Sequence, residues 1–558
     1  MRTIEQYNKL ISGKVREAES VGFTASEPIG SHLYNWQKRL VSWALKVGRC
    51  ALFEECGLGK TVQQIEWAHH VAIHTGKPVL ILCPLAVAQQ TEDEGKRFGR
   101  DCYVVSGAPD VRTSGIAICN YDKLHLLDAS VFGGVVLDES SILKAFTGKL
   151  RRQLTDTFRA TRYKLCCSAT PAPNDFTELG QHADFLNVCS PQQMLATYFI
   201  NDTFDTGTWR LKKHSVETFW AWVATWAACV QKPSDIGGDD SGYDLPEVLM
   251  RFERVGSDIV SCIDSGMLIP DVNLSVSNMH AHNRTTMRAR VDAAAAIVNA
   301  DKEQWLVWCE TNDESDALNA AIPDAVEVAG HHSQELKERR IKQFLSGESR
   351  VLVTKPSIAG WGLNFQHCRK DMYVGLSFSW EKFYQAGKRI HRFGQKRQVE
   401  RVIVATDSEM EVFKVLQTKH KKHETMHKLV HATKAAIGEE SRNVHLNTDI
   451  RSETGENWTA YHGDCVRVAS NLKSESIGFS VFSPPFADLF TYSNDVQDMG
   501  NCSSMDEFME QFGFLVSELF RITMPGRECA VHCVDLLSTK WKDGSIELKD
   551  FSTRIANA

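Results

Sequence analysis

From Glu54 the chain reads EECGLGKT, closing on Gly59, Lys60 and Thr61 after a short apolar run. Glycines such as Gly57 and Gly59 let backbone N–H groups turn inward towards a phosphate, and a helix opening behind them favours negative charge. In such a loop the Lys60 ammonium meets the β- and γ-phosphates, and the Thr61 hydroxyl can hold Mg²⁺. The pattern GxxxxGK[ST] fails at its first position, which is Glu54. A second pattern, VVLDESS, puts Asp138 and Glu139 at the C-terminal end of another apolar run. Open parallel sheets hold their ligands at that edge. Asp138 is suited to position Mg²⁺ through its shell, and Glu139 to orient and deprotonate an attacking water. The expected chemistry is hydrolysis of ATP with Mg²⁺.

A different chemistry is written near the other end. From Tyr461 the chain reads YHGDCVRVASNL, then an apolar run GFSVF, then SPPF over Ser483, Pro484, Pro485 and Phe486. Work on an exocyclic amino group needs a flipped base, acceptors for the amino hydrogens and a ring to stack on. The Ser483 hydroxyl and the Pro484 carbonyl are such acceptors, and Phe486 is such a ring. The segment resembles the [DNS]PP[YFW] motif of amino-directed DNA methyltransferases, in the group where it precedes the cofactor motif. A first-position serine leans towards cytosine N4 over adenine N6. The resemblance implies an FxGxG loop for S-adenosylmethionine after SPPF, yet Gly500, Gly513, Gly526 and Gly544 never form GxG. The cofactor is therefore expected only if something else completes this part.

These residues need elements to position them. From Arg49 onward a short apolar run, a polar turn and a stretch of helical spacing recur, which is α/β patterning. Strands are expected at Cys50 to Glu54, Pro78 to Pro84, Ile116 to Tyr121, Gly134 to Asp138 and Tyr163 to Ser168. They make one parallel-sheet domain over 30–190 after an N-terminal extension, 1–29. A second series, at Gln304 to Glu310, Ala325 to Ala329, Arg350 to Thr354, Met372 to Leu376 and Arg401 to Thr406, makes another over 286–435. Between them, 191–285 reads as a helical insertion whose Trp209, Trp220, Trp222 and Trp226 fill its own core. A charged helix over 410–435 ends the second domain. A linker over 436–456 leads to a partial Rossmann-like unit over 457–558.

Taken in order, EECGLGKT, DESS, SATPAPNDFTEL from Ser168, GWGLNF from Gly360 and QAGKRIHRFGQ from Gln385 resemble the superfamily-two helicase motors. GLGKT and HRFGQ resemble the Snf-type, chromatin-remodeller-like ATPases more than the RNA-unwinding group. The resemblance implies two tandem RecA-like domains and double-stranded DNA as the partner. It makes Gln37 the adenine reader. Ser168, Ala169 and Thr170 would couple ATP state to lobe closure, and Arg389 and Arg392 would be arginine fingers on the γ-phosphate. It puts DNA contacts after Pro84, near Tyr121 and around Gly360 to Asn364. The basic run Lys388, Lys396, Arg397 and Arg401 is the strongest local patch. Lys388 stands where the family has glycine, and DESS replaces DEAH or DEAD.

Composition bounds the rest. The 558 residues are 43% hydrophobic and 24% charged, which excludes disordered, collagen-like and coiled-coil classes. With 63 basic against 70 acidic residues, net charge −7, a polyanion must be held by local patches. The sixteen cysteines contain no CxxC pair and read as buried hydrophobes. No apolar stretch reaches the ~20 residues of a membrane span, and MRTIEQYNKL lacks a signal-peptide core, so a cytoplasmic protein without membrane contact is expected. His420, His423, His427 and His431 share a helical face, but with no carboxylate or cysteine completing the set they are not read as a metal site. The expected function is an ATP-driven DNA translocase joined to a methyltransferase-like module of phage or restriction-modification type, with a further component of such a system as a second partner. The alternatives are a motor with a non-catalytic DNA-binding or assembly module, and an RNA helicase, which HRFGQ disfavours.

Overall fold

A computed structural model describes residues 2–14, 19–84, 87–144, 148–201, 209–212, 215–256, 276–359, 363–429, 449–486, 497–502, 505–537 and 547–558. The chain divides into two compact units. One holds Ser20–Leu186 with Ala227–Ile437, the other Met1–Glu19, Asn187–Trp226 and Gly438–Ala558.

The larger unit contains two parallel sheets. Across the first, the strand order is Cys102–Val104, Ile116–Asn120, Val79–Cys83, Gly134–Asp138, Tyr163–Ser168, Arg49–Glu54 and Ala227–Val230. Its inner strands have little choice about conformation. Leu80, Ile81, Leu82, Val135, Val136 and Leu137 have no exposed surface. Each such aliphatic side chain contributes roughly 1.5–3 kcal/mol by leaving water, and burial on both faces explains why these runs show no alternation. The second sheet orders Val248–Arg254, Val399–Ala405, Lys370–Val374, Trp305–Cys309, Val351–Thr354 and Ala325–Val328, again all parallel. Two parallel α/β domains were expected, and the unit has both.

The segment expected as a helical insertion differs from that reading. Its Ala227–Val230 pairs with Arg49–Glu54 at one edge of the first sheet, and its Val248–Arg254 pairs with Val399–Ala405 at one edge of the second. Edge strands carry weak signals: Leu249 and Met250 are exposed and charges interrupt the run. The Trp-rich part is helical over Val216–Val223, where Trp222 packs on Tyr198, Phe219 and Trp226 at 5.4–5.9 Å between ring centroids. The linker reading also shortens, because Arg451–Thr454 forms an antiparallel hairpin with Thr459–His462.

In the smaller unit, Ile477–Phe482 pairs in parallel with Thr523–Val531 beside the helix Met505–Ile522. Its core of Phe508, Phe512, Phe551 and Ile555 takes in Tyr7 and Ile11 from the helix Ile4–Lys14. The expected extension 1–29 is thus divided. Residues 4–14 complete this core, while Val21 and Phe23 hydrogen-bond to the backbone of Val47 and Leu45 in the larger unit.

Candidate active site

The phosphate loop forms because glycine alone suits its backbone. Gly57 and Gly59 have φ of 91° and 81°, and a Cβ on Gly59 would lie 2.6 Å from Gln37 Nε2. Gly59 caps the helix Lys60–Thr75, so the helix begins with Lys60 and Thr61 in its first turn. Lys60 Nζ donates to the Glu54 and Glu55 carbonyls at 2.8 and 3.1 Å. Burial works against its charge, but Cys56, Glu54, Glu139 and Glu55 outweigh it and hold the ammonium above its ordinary value. Gln37 sits under the loop. Its Nε2 donates to the Leu58 carbonyl at 2.9 Å and its Oε1 accepts from Tyr34 N–H at 2.9 Å. Both heteroatoms of the expected adenine reader are thus engaged with backbone.

Glu54, where the loop pattern has glycine, turns its carboxyl inward and is fully buried. Gln63 Nε2 donates to its Oε2 at 2.8 Å, and burial pushes its pKa up to about 7. A neutral acid is tolerated there where a charge is not.

Asp138 and Glu139 sit at the end of their strand, facing the loop. Glu139 adopts φ 64°, a left-handed conformation that is unusual for a side chain this large. Burial raises both carboxyls, Glu139 to about 7, against the pull of Lys60; Asp138 and Glu381 push Glu139 further up. Ser168 Oγ donates to Glu139 Oε1 at 2.7 Å and accepts from Thr170 N–H at 3.0 Å. Ala169, between them, is buried.

The second lobe reaches this cluster. Gln385 Nε2 donates to Glu139 Oε1 at 3.2 Å and to Thr170 Oγ1 at 3.0 Å. Arg389 and Arg392 both donate to the Leu363 carbonyl, at 3.2 and 3.4 Å. The segment carrying them abuts the loop: a Cβ on Gly57 would lie 3.3 Å from Phe393 N and 3.8 Å from Arg392 Cβ. Burial and Arg389 lower the Arg392 pKa. Sequence reasoning did not assign Gln385 a role. Its place four residues before Arg389 in QAGKRIHRFGQ was the available signal.

Several expected nucleic-acid contacts lie elsewhere. Tyr121 is buried and donates its hydroxyl to the Asp138 carbonyl at 2.7 Å, bracing the acidic strand end. Arg401 is buried in a bidentate pair with Asp371, Lys388 faces Glu55, and Arg397 donates to the His367 carbonyl. Of the basic run, Lys396 and Arg397 remain exposed. Residues 85–86 and 360–362, parts of two of the expected tracks, lie outside the described residues. His420 and His423 pack against Trp380 and Tyr384, while His431 and the His427 side chain lie outside the described residues.

In the smaller unit SPPF follows its strand as expected. Ser483 Oγ donates to the His532 carbonyl at 3.1 Å. Pro484 is buried and Pro485 half-buried. Phe486 differs from an open stacking face, because its half-buried ring packs against the unit's core and lies edge-on to Phe551, centroids 6.1 Å apart.

A glycine loop opening a helix, a paired acidic strand end and an arginine-bearing second lobe meet in one place. Residues 36–206 match the SNF2-related domain and 289–394 the helicase conserved C-terminal domain. Over these two regions the chain is similar to SNF2-type helicase ATPases. It is 29% identical over 430 residues to the Mus musculus chromodomain-helicase-DNA-binding protein 1-like, covering 66% of this chain and 47% of that protein. It is 25% identical over 176 residues to the putative protein p41 of Acyrthosiphon pisum secondary endosymbiont phage 1, covering 27% of this chain and 38% of that one. The chain thus spans less than half the length of these curated relatives. A Sulfolobus solfataricus SWI2/SNF2 ATPase core in complex with dsDNA overlays with a TM-score of 0.35 at 16% identity, over 74% of this chain and 96% of that one. Among the described residues no helix is long and apolar enough to cross a membrane.

Proposed function

We propose that the chain turns ATP hydrolysis into movement along double-stranded DNA, with Glu139 as general base. The observation that carries this reading is the 3.2 Å contact from Gln385 of the second lobe to Glu139 of the first. Lobe movement is thereby felt at the group that activates water. Lys60 and the Gly57–Gly59 loop cradle the phosphates, Arg389 and Arg392 steady charge developing on the γ-phosphoryl, and Gln37 braces the loop. Two carboxyls raised by burial in one pocket suit a divalent cation, so Thr61 and Asp138 would hold Mg²⁺. When bound, the ion would draw charge off the phosphate oxygens. Ser168 and Thr170 transmit lobe position to Glu139.

DNA as the polymer is supported by the name of the mouse relative and by motif order. Grip on phosphates is sequence-blind and weakens with salt. The test is ATPase turnover with duplex DNA, single-stranded DNA and RNA supplied separately. Duplex DNA should stimulate most, and the stimulation should fall with added salt. Equal stimulation by RNA, or none by duplex, would refute the DNA assignment.

For the smaller unit we propose a methyltransferase-like module that recognises a base without transferring a methyl group. SPPF ends a parallel strand, and Asp464 of the upstream GDC caps the helix Cys465–Asn471 by accepting from Val466 N–H at 2.9 Å. A separate methyltransferase or restriction-modification component would bring the S-adenosylmethionine loop.

A further inference from the structure

The helix Trp380–Gly387 in the second lobe turns one face towards the ATP site. Glu381, Tyr384, Gln385 and Lys388, the residue that closes it, are spaced i, i+3, i+4, i+7 and so lie along a single stripe. At its start the Glu381 carboxylate, 2% exposed, pairs with the Lys144 ammonium and accepts from Thr170 Oγ1 at 3.3 Å. Lys144 ends the 3-10 turn that follows Asp138 and Glu139. At the other end the Tyr384 hydroxyl donates to the Glu55 carboxylate, and Lys388 Nζ lies 3.7 Å from Glu55 Oε2. Glu55 is in the phosphate loop itself. The two ion pairs have opposite polarity: acid on the helix at one end, base on the helix at the other.

We propose that this stripe is a two-ended clasp that sets how the second lobe seats on the ATP site, with Glu381 and Lys388 as positioning residues. It rests on the ATP-hydrolase reading. One end registers the helix on the acidic strand and the Thr170 segment, the other on the phosphate loop. Gln385, between them, is thereby delivered to Glu139 at hydrogen-bonding distance. The opposed polarity opposes docking in the reverse direction or two turns out of register, because either error would bring like charges together. Lys388, the departure from the family pattern, is matched by an acid in the loop that it meets.

The experiment combines reciprocal charge swaps with zero-length cross-linking on the full chain. A carbodiimide condenses a carboxylate with an amine only when the two touch, and peptide mass spectrometry should find Lys144 joined to Glu381 and Lys388 joined to Glu55. Glu381→Lys should lower kcat about ten- to hundredfold, the cost of displacing a reacting group by about 1 Å, while KM for ATP changes little. Adding Lys144→Glu to it should restore kcat to within about threefold, whereas adding Lys388→Glu should not. Absence of both cross-links in the unaltered chain, a normal kcat in Glu381→Lys, or no rescue by the reciprocal swap would each overturn the clasp. An unaltered chain that forms the cross-links but does not turn over ATP would instead refute the hydrolase reading and leave the clasp standing.

Discussion

Replacing Ser168 by Ala removes the 2.7 Å hydrogen bond to Glu139 Oε1 and leaves the Gln385 donor at 3.2 Å. Ser168 favours the ionised carboxylate, so its loss must raise a pKa already pushed up to about 7. A hydrogen bond to a charged group contributes roughly 1.5–3 kcal/mol, which at about 1.4 kcal/mol per pKa unit is about one to two units. Gln385 retains part of that stabilisation, so a rise of about one unit is expected. The fraction ionised at neutral pH then falls from about half to about a tenth, a roughly fivefold loss that vanishes by about pH 9.5. The assay is the pH profile of kcat/KM for ATP, whose acid limb reports the free enzyme's base. Ser168→Thr, which keeps a hydroxyl, is the control for the Thr170 N–H that Ser168 also accepts. Glu381→Gln should move the limb the opposite way, because the Glu381 charge is one of the groups raising Glu139. A limb that stays put or moves down in Ser168→Ala would refute Glu139 as the base that sets it.

Arg392→Ala should keep nucleotide binding and lose turnover by on the order of 10³ to 10⁵, whereas Lys60→Ala should lose binding; filter binding and single-turnover hydrolysis separate the two. Glu54 titrates near its ordinary value when unfolded and at about 7 when folded, so between those values the folded state holds more protons and stability falls as pH rises. That slope amounts to on the order of 3 kcal/mol, and Glu54→Gln should flatten the decline in Tm between about pH 5 and 7.5. With methyl-labelled cofactor and DNA the chain alone should incorporate no label; label that appears in the unaltered chain and disappears in Ser483→Ala would show a working methyl transfer.

Local features were the most legible. Gly57 to Thr61 and Asp138 to Glu139 are short patterns whose backbone demands are written in adjacent residues, and the inner strands announce themselves by being apolar on both faces. What escaped depends on partners far along the chain. Arg401 reads as a surface charge until Asp371, thirty positions earlier, is seen beside it, buried, in the neighbouring strand. Tyr121 reads as a loop aromatic until its hydroxyl is found on Asp138. Ala227–Val230 is too short and too near a tryptophan-rich helix to signal a strand; only pairing with Arg49–Glu54 makes it one. Glu54 departs from the loop pattern, and its burial against Gln63, nine positions on, is not written in the linear order.

The helix Ile4–Lys14 buries Tyr7 and Ile11 in a core built largely from residues after Val466, and Gln511 donates to the Tyr7 hydroxyl at 3.3 Å. A ribosome makes that helix first and its neighbours in the core last. At roughly 5–20 residues per second, nearly five hundred intervening residues mean a wait of about 25 to 100 s. Both parallel sheets can condense in that interval, since their strands lie between the two ends. The nascent helix meanwhile carries Tyr7, Leu10 and Ile11 without the core they pack into. Translation speed therefore bears on the yield of the smaller unit more than on that of the motor.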